Sequence, residues 1–333
     1  MGTGGIAAMH ARAIRASDQC ELVAVHSGSA ERAEMAAKEF GIVGISDLAS
    51  FASQHAVDAV CICTPSGRHL DGAREAAALG LHVLCEKPLE INMQRAKEMV
   101  QICSDAGVKL GCIFQNRFKA DYVKLKNAIV AGKFGKLLLG NAYIKWFRDP
   151  EYYSSSVWKG TLQGDGGAAL INQGIHTIDL LLDIMGGVEK VFAKTRTTVH
   201  NIEGEDLGLA MLTFENGAMG VIEGSTALYP GYAERLEIYG EEGSAILEGG
   251  NIIEWNFKKE ESSEKATDAE SNSGASDPMA IADEFHQLQI ADFANAILED
   301  REPLVTGVGG LPALNLIEHI YLSAKANREI EVV

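Results

Sequence analysis

Two short stretches of the chain carry side chains suited to moving a proton. Glu86-Lys87-Pro88 closes the apolar run 81–85, which puts the Lys87 amine at the carboxyl end of a predicted strand, where open parallel sheets hold their ligands. An amine against an apolar wall has a lowered pKa and can hydrogen-bond a reacting hydroxyl or share its proton. The same lysine also fits a plain surface turn. His176 and Asp179 lie three apart in the helical pattern 168–185, with Asn172 one turn earlier, so all three share a face. An imidazole exchanges protons near neutral pH. On spacing alone, a His and an Asp that merely cap and pack explain the pattern as well.

Proton transfer gains a second half-reaction if a redox cofactor is bound. Gly2-Thr3-Gly4-Gly5-Ile6-Ala7 fits G-x-G-x-x-A and runs into residues of helical composition. Such glycines let the backbone approach a dinucleotide pyrophosphate seated on a helix N-terminus; a loose glycine-rich terminus is the competing explanation. In a dinucleotide fold a strand precedes this motif, and here only Met1 does. That strand normally lies mid-sheet, and without it neighbouring ladder groups lose their partners. Several apolar residues are therefore expected upstream of Met1. After the next apolar run, His26-Ser27-Gly28 contains no acid. An acid there binds ribose hydroxyls and repels a 2′-phosphate, so NAD and NADP both remain open. Arg32 is placed to reach such a phosphate, or simply to be solvated.

The elements that must position these groups change character near residue 119. Before it, apolar runs 22–25, 57–63, 81–85 and 108–114 alternate with helical patterns 30–40, 69–79 and 90–106, the grammar of a parallel sheet with crossover helices. Beyond it come helical patterns 122–131 and 168–185 and strand-like runs 137–147, 188–198, 207–214, 219–224, 235–239, 244–247 and 252–257. Asn216-Gly217 and Glu242-Gly243 supply hairpin turns. An antiparallel sheet with helices on one face is expected. Residues 258–278 hold no apolar side chain larger than Ala and predict a mobile loop inside the second domain. Helices over 281–298 and 311–326 close the chain. The division expected is 1–118 and 119–333.

Composition narrows the partners. Of 333 residues, 29 are basic and 46 acidic, a net charge of −17, which disfavours nucleic acid and anionic membrane surfaces. No apolar run approaches the ~18 residues of a membrane span. The first residues lack a basic segment followed by an apolar one, so a cytoplasmic location is expected. Cys20, Cys61, Cys63, Cys85, Cys103 and Cys112 form no CxxC pair; buried reduced thiols and no bound metal are expected.

GTGGIA at 2–7, CTPSGRH at 63–69, CEKP at 85–88, QNRF at 115–118 and GGAALINQGIHTIDLL at 166–181, in that order, resemble the glucose–fructose oxidoreductase / inositol dehydrogenase (Gfo/Idh/MocA) family of NAD(P)-dependent sugar oxidoreductases. The resemblance implies an α/β Rossmann domain with a doubly wound parallel sheet, its first strand absent ahead of Met1, and a C-terminal α+β domain with an open antiparallel sheet. It implies hydride transfer between nicotinamide and a secondary alcohol or ketone of a sugar, glycoside, sugar nucleotide or cyclitol, in a homodimer or homotetramer. His176 becomes the general base and Lys87 its catalytic companion, with Asp179 orienting His176 or holding a neighbouring group. Gly2, Gly4, Gly5, Ile6, Ser27, Arg32, Thr64, Pro65, His69, Glu86, Lys87 and Asn116 are assigned to NAD or NADP. Arg117, Arg148, Trp158 and Asn172, with Lys87 and His176, are assigned to substrate. Many relatives carry Asp where Asn172 stands, and NQGIH looks closer to members acting on pyranosides or nucleotide sugars, with oxidation at ring carbon three as an extension. An NAD-cycling glycosidase of the same fold and a non-catalytic nucleotide-binding regulator are the alternatives; Lys87 and His176 argue against the regulator.

Overall fold

The glycine turn leads into α1 (Gly5–Arg15), which buries Ala7, Met9, His10, Ala11 and Ala13 along one face. A computed structural model describes residues 1–259 and 283–333. Most of the expected 258–278 loop and the first residues of the expected 281–298 helix lie outside the described residues. The chain divides into two units, one of Met1–Gln115 with Ala282–Leu311 and one of Asn116–Ile281 with Pro312–Val333.

In the first unit strands and helices alternate as the apolar runs predict: β1 (Ala24–His26), α2 (Ala30–Phe40), β2 (Val43–Ile45), α3 (Leu48–Ala52), β3 (Ala59–Ile62), α4 (His69–Ala78), β4 (His82–Cys85), α5 (Met93–Asp105) and β5 (Leu110–Cys112). Ser29 Oγ accepts the Arg32 N–H and opens α2, and Asn92 Oδ1 accepts the Arg95 N–H and opens α5; each cap satisfies a donor that the helix itself cannot. β2 and α3, only three and five residues long, are not among the expected elements. All strand pairs are parallel. The expected single sheet, however, is two sheets, β1–β2 and β3–β4–β5. The first two residues bridge them at one end. The Met1 ammonium donates to Cys61 O at 2.6 Å, Cys63 N–H donates to Met1 O at 2.8 Å, and Gly2 N–H donates to His26 O at 2.9 Å.

The second unit begins with α6 (Ala120–Val130), β6 (Leu137–Lys145) and α7 (Pro150–Ser154). A π-helical stretch, Ala169–Gly174, runs into α8 (Ile175–Met185), followed by β7 (Val188–Arg196), β8 (Leu207–Phe214), β9 (Met219–Ser225), β10 (Arg235–Gly240), β11 (Gly243–Glu248) and β12 (Asn251–Phe257). Beyond the undescribed residues come α9 (Asp283–Leu298), α10 (Leu311–Ala326) and β13 (Ile330–Glu331). The sheet order is β12-β11-β10-β6-β9-β8-β7-β13. Its expected antiparallel character holds for every pair except the central β6/β9, which is parallel. After β6 the chain leaves through α7 and α8, re-enters at β7, and reaches β6 again only with β9. α8 lies so close over β6 that a Cβ at Gly140 would fall 2.7 Å from Met185. Alternation sorts the faces: Ala210, Leu212 and Phe214 are buried, while Leu209 and Met211 are exposed.

The boundary expected at 118/119 needs correction at its far end. α9 returns to the first unit, where Ile290 and Phe293 pack with Ala13, Leu84 and Ile113. Gln289 accepts the Phe114 N–H at 3.0 Å and donates to Cys112 O at 2.8 Å, lengthening the edge of β5 with a side chain. Sequence order hid this return, because packing and not adjacency decides which core a helix completes.

Candidate active site

In the first unit the groups of interest follow the carboxyl ends of β1, β3 and β4. Gly2 has φ +109°, and a Cβ there would lie 2.5 Å from Cys63 O, so only glycine fits. Gly4 caps α1 in extended conformation with no side-chain cap, and no acid stands in the first turn. A Cβ on Gly4 would meet nothing within 4 Å. The start of α1 thus has room beside Gly4 and, among the described residues, no capping side chain or first-turn acid, as a bound anion needs. Thr64 Oγ1, one residue from the Gly2 contact, is buried with no hydrogen-bond partner among the described residues. An open cradle of N–H donors beside an orphaned hydroxyl fits a dinucleotide. Ile6 packs beneath the turn against the small core of Ala7, Val25 and Cys63. Ser27 Oγ accepts the Ser29 N–H at 3.3 Å, and Arg32 is exposed on α2.

His69 does not present its ring to a ligand. Nδ1 lies 2.9 Å from Pro88 O and Nε2 3.0 Å from Thr64 O, and the residue is 1% exposed. It braces the loops bearing Thr64-Pro65 and Lys87-Pro88, and burial holds its pKa below the usual histidine value. Glu86 is likewise buried. Its Oε1 is 2.7 Å from His10 Nε2, and its Oε2 accepts the Lys87 N–H at 3.1 Å. Burial pushes its pKa up, but His10, His286 and Lys87 together outweigh it and hold the carboxyl at about 2. Lys87 itself is half-buried.

In the second unit, His176 occupies the first turn of α8 and is 8% exposed. Asp179, expected either to orient His176 or to hold a neighbouring group, has a partner of its own. Asp179 takes the fork of Arg117, whose Nε donates to Oδ2 at 2.8 Å and Nη2 to Oδ1 at 2.7 Å. Arg117 Nη1 also lies 3.3 Å from Asp183. Arg117 and Asp179 therefore clamp the turn at 115–118 to α8, which is the neighbour-holding role left open for Asp179. Burial pushes Asp179 up to about 6 despite the arginine. Asn116, in the same turn, is half-buried.

The π-helical stretch directs Asn172 and Gln173 into one network. Asn172 Nδ2 donates to Asp165 Oδ1 at 2.5 Å, and Asn172 Oδ1 accepts from Gln173 Nε2 at 2.6 Å. Gln173 Oε1 accepts from Arg148 Nε at 3.1 Å and Nη2 at 2.7 Å, while Gln173 Nε2 donates to Tyr152 Oη at 2.9 Å. Arg148, only 2% exposed, stacks over Trp146 and Tyr152 and so supports this floor from beneath. Lys159 Nζ sits 3.9 Å from the centre of the Tyr152 ring, its pKa lowered by burial. Trp158 is half-buried and accepts the Thr161 N–H with its backbone oxygen. Behind the stretch, buried Glu205 accepts N–H donors from Ala168 at 3.3 Å and Leu170 at 2.7 Å and the Tyr321 hydroxyl at 3.0 Å.

Sequence reasoning missed His10, His286, Asp165, Gln173 and Glu205. Gln173 was within reach, lying between Asn172 and His176 in the quoted motif. His10 recurs on the buried face of α1, where a polar residue must find a partner. Asp165, Glu205 and His286 carry no local signal.

Comparison with known proteins bears on this geometry. Residues 1–114 match the oxidoreductase family with an NAD-binding Rossmann fold, and residues 122–246 match the GFO/IDH/MocA C-terminal domain. The WlbA dehydrogenase of Bordetella pertussis, solved with NADH and UDP-GlcNAcA, superposes with a TM-score of 0.87 at 33% identity, covering 100% of this chain and 97% of that one. An uncharacterized oxidoreductase of Bacillus subtilis, YrbE, is 30% identical, with 74% of this chain and 72% of the relative covered. The myo-inositol 2-dehydrogenase of Thermotoga maritima is 29% identical over 73% of this chain and 72% of its own length.

Proposed function

Because the chain belongs to the GFO/IDH/MocA oxidoreductase family, we propose that it transfers a hydride between NAD and a ring carbinol of a nucleotide-linked sugar acid. The family assignment makes it an NAD(P)-dependent oxidoreductase acting on sugar or cyclitol alcohols and ketones. The single observation that carries the narrower substrate is the full-length likeness to a dehydrogenase solved with NADH and UDP-GlcNAcA. The floor of Arg148, Gln173, Tyr152 and Asn172, with Lys159 beside it, supports that reading, because amides, a phenol and cations suit sugar hydroxyls and an acidic substituent.

The bound cofactor supplies a ring that accepts hydride. On oxidation the substrate loses a hydride from carbon and a proton from oxygen. His176 takes that proton, and Lys87 donates a hydrogen bond to the same oxygen as charge grows on it. The α1 N-terminus with Gly2 and Gly4 holds the pyrophosphate. Asn172 and Gln173 hold ring hydroxyls. A homo-oligomer is part of this reading: Leu209, Met211 and Met219 leave apolar surface on one face of the large sheet.

The test is spectrophotometric. Purified protein is supplied with NAD or NADP and, in turn, UDP-hexuronic acids, free sugars, glycosides and cyclitols, and NAD(P)H absorbance is followed. Turnover fastest with the nucleotide-linked acid bears the proposal out. Turnover confined to cyclitols or free sugars refutes the substrate, and consumption of a glycoside with no net NADH identifies a cycling glycosidase instead.

A further inference from the structure

Beneath Lys87 lies a cluster that the hydride-transfer reading does not use. His10 comes from α1, Glu86 from the end of β4 and His286 from α9. All three are buried, at 2%, 5% and 2% exposure. His10 Nε2 is 2.7 Å from Glu86 Oε1, and His286 Nε2 is 3.8 Å from the same oxygen. The other oxygen, Oε2, receives the backbone N–H of Lys87 at 3.1 Å. One carboxylate thus ties the helix that forms the phosphate cradle, and the returning helix α9, to the turn that carries the amine. We infer that His10, seconded by His286, is a positioning residue for Lys87: it keeps the Glu86 carboxylate charged and aimed, and that carboxylate fixes the Lys87 turn. The inference rests on the reading that Lys87 acts on substrate.

The three ligand atoms lie within 4.8 Å of one another, close enough to raise the question of a metal. The surroundings favour an ion pair. A metal-bound imidazole is normally steered by a partner on its second nitrogen, and His286 Nδ1 is buried with no hydrogen-bond partner among the described residues. The titratable groups around Glu86 are His10 and His286, Lys87 and Cys85 on its own segment, His69 from α4 with Glu90 beside it, Cys61 and Cys63 at His10, and Asp283 at His286; Cys85 is a neutral thiol and burial disfavours the His69 cation. Burial disfavours the His10 cation, but Cys63, Cys61 and Glu86 around it together raise its pKa, and His10 Nε2 lies 2.7 Å from the Glu86 carboxylate; burial holds the more distant His286, at 3.8 Å, at about 4. Removing that cation leaves a buried carboxylate that takes up a proton more readily.

The experiment measures kcat, sugar KM and dinucleotide Kd across pH for His10→Leu, His10→Gln and Lys87→Ala. In His10→Leu, kcat is expected to fall by about tenfold or more, with KM and Kd within about threefold of wild type. His10→Gln keeps a donor but no charge. It is expected to recover most of kcat near pH 8 and to lose it again near pH 6, as Glu86 protonates. Unchanged kcat in His10→Leu overturns the inference. So does a wild-type to His10→Gln ratio that is constant with pH, and this ratio decides the matter alone if His10→Leu does not fold. Lys87→Ala with normal turnover refutes the role of Lys87 itself. Lys87→Ala without turnover, alongside unaltered His10 variants, refutes only the positioning role.

Discussion

Glu205 offers a sharp test, because burial and hydrogen bonding push it in opposite directions. Three donors favour its charged form, yet burial prevails and moves its pKa from 4.5 to about 7. The carboxyl is thus harder to ionise in the fold than in the unfolded chain, so its contribution to stability is greatest below pH 4.5 and drains away as pH rises through 7. The gap of two to three pKa units is worth about 3 kcal/mol, most of it lost by neutral pH. Glu205→Gln fixes the side chain in a neutral form: an oxygen can still receive Leu170 N–H and Tyr321 Oη–H, but the amide nitrogen cannot accept Ala168 N–H, so the variant carries one lost hydrogen bond, about 1 kcal/mol, at every pH. Relative to wild type the variant should therefore gain about 3 kcal/mol between acid and mild alkali, from slightly less stable to more stable by about 2 kcal/mol, a swing of roughly 6–12 °C in the midpoint of a unit of this size. Thermal unfolding of both proteins by circular dichroism, from mildly acidic to alkaline buffer, reads the difference directly. A difference that does not change with pH would falsify the reasoning and show that the donors around it keep the carboxylate ionised throughout.

Other outcomes follow from the same geometry. Lys87→Ala and His176→Ala should each lower kcat by about 10²-fold or more while dinucleotide affinity, measured by NADH fluorescence titration, stays near wild type; loss of binding instead would place them in the cradle. Arg148→Met removes both donors to Gln173 Oε1 and should raise sugar KM by roughly tenfold and lower stability by about 2–3 kcal/mol; unaltered KM would detach the floor from the substrate. Gly2→Val, at φ +109° and against Cys63 O, should weaken dinucleotide binding more than tenfold in calorimetry, by about 1.4 kcal/mol per decade. Unchanged affinity would move the pyrophosphate elsewhere.

Much of this architecture is legible before folding. The four apolar runs of the first unit and all six beyond residue 187 form strands within a few residues of their expected bounds, because burial on one or both faces writes a period into the sequence. β2 escaped because it is only three residues long, interrupted by Gly44, with Val43 and Gly44 exposed. Positions 168–185 read as one helix, yet the first six residues of the helical segment are wound as π, which turns Asn172 and Gln173 together toward Asp165 and Arg148. Helical spacing alone cannot anticipate that rotation, nor that Asp179 would take the fork of Arg117, sixty-two residues earlier. Polar partners are chosen by tertiary proximity, and the sequence states only that each buried one must have a partner.

The late arrival of α9 bears on biosynthesis and on truncation. During translation the first unit has its strands early but lacks Ile290 and Phe293 until nearly the whole chain has emerged. The other unit, inserted in the interval, is by then largely synthesised, so the usual order in which the leading domain matures first is delayed here. A fragment cut after residue 118 would expose Ala13, Leu84 and Ile113 to water and leave Phe114 N–H without its glutamine acceptor. Such a fragment should be sticky and poorly soluble, whereas one that rejoins residues 1–118 to 282–311 through a short flexible linker has what it needs to close its own interior.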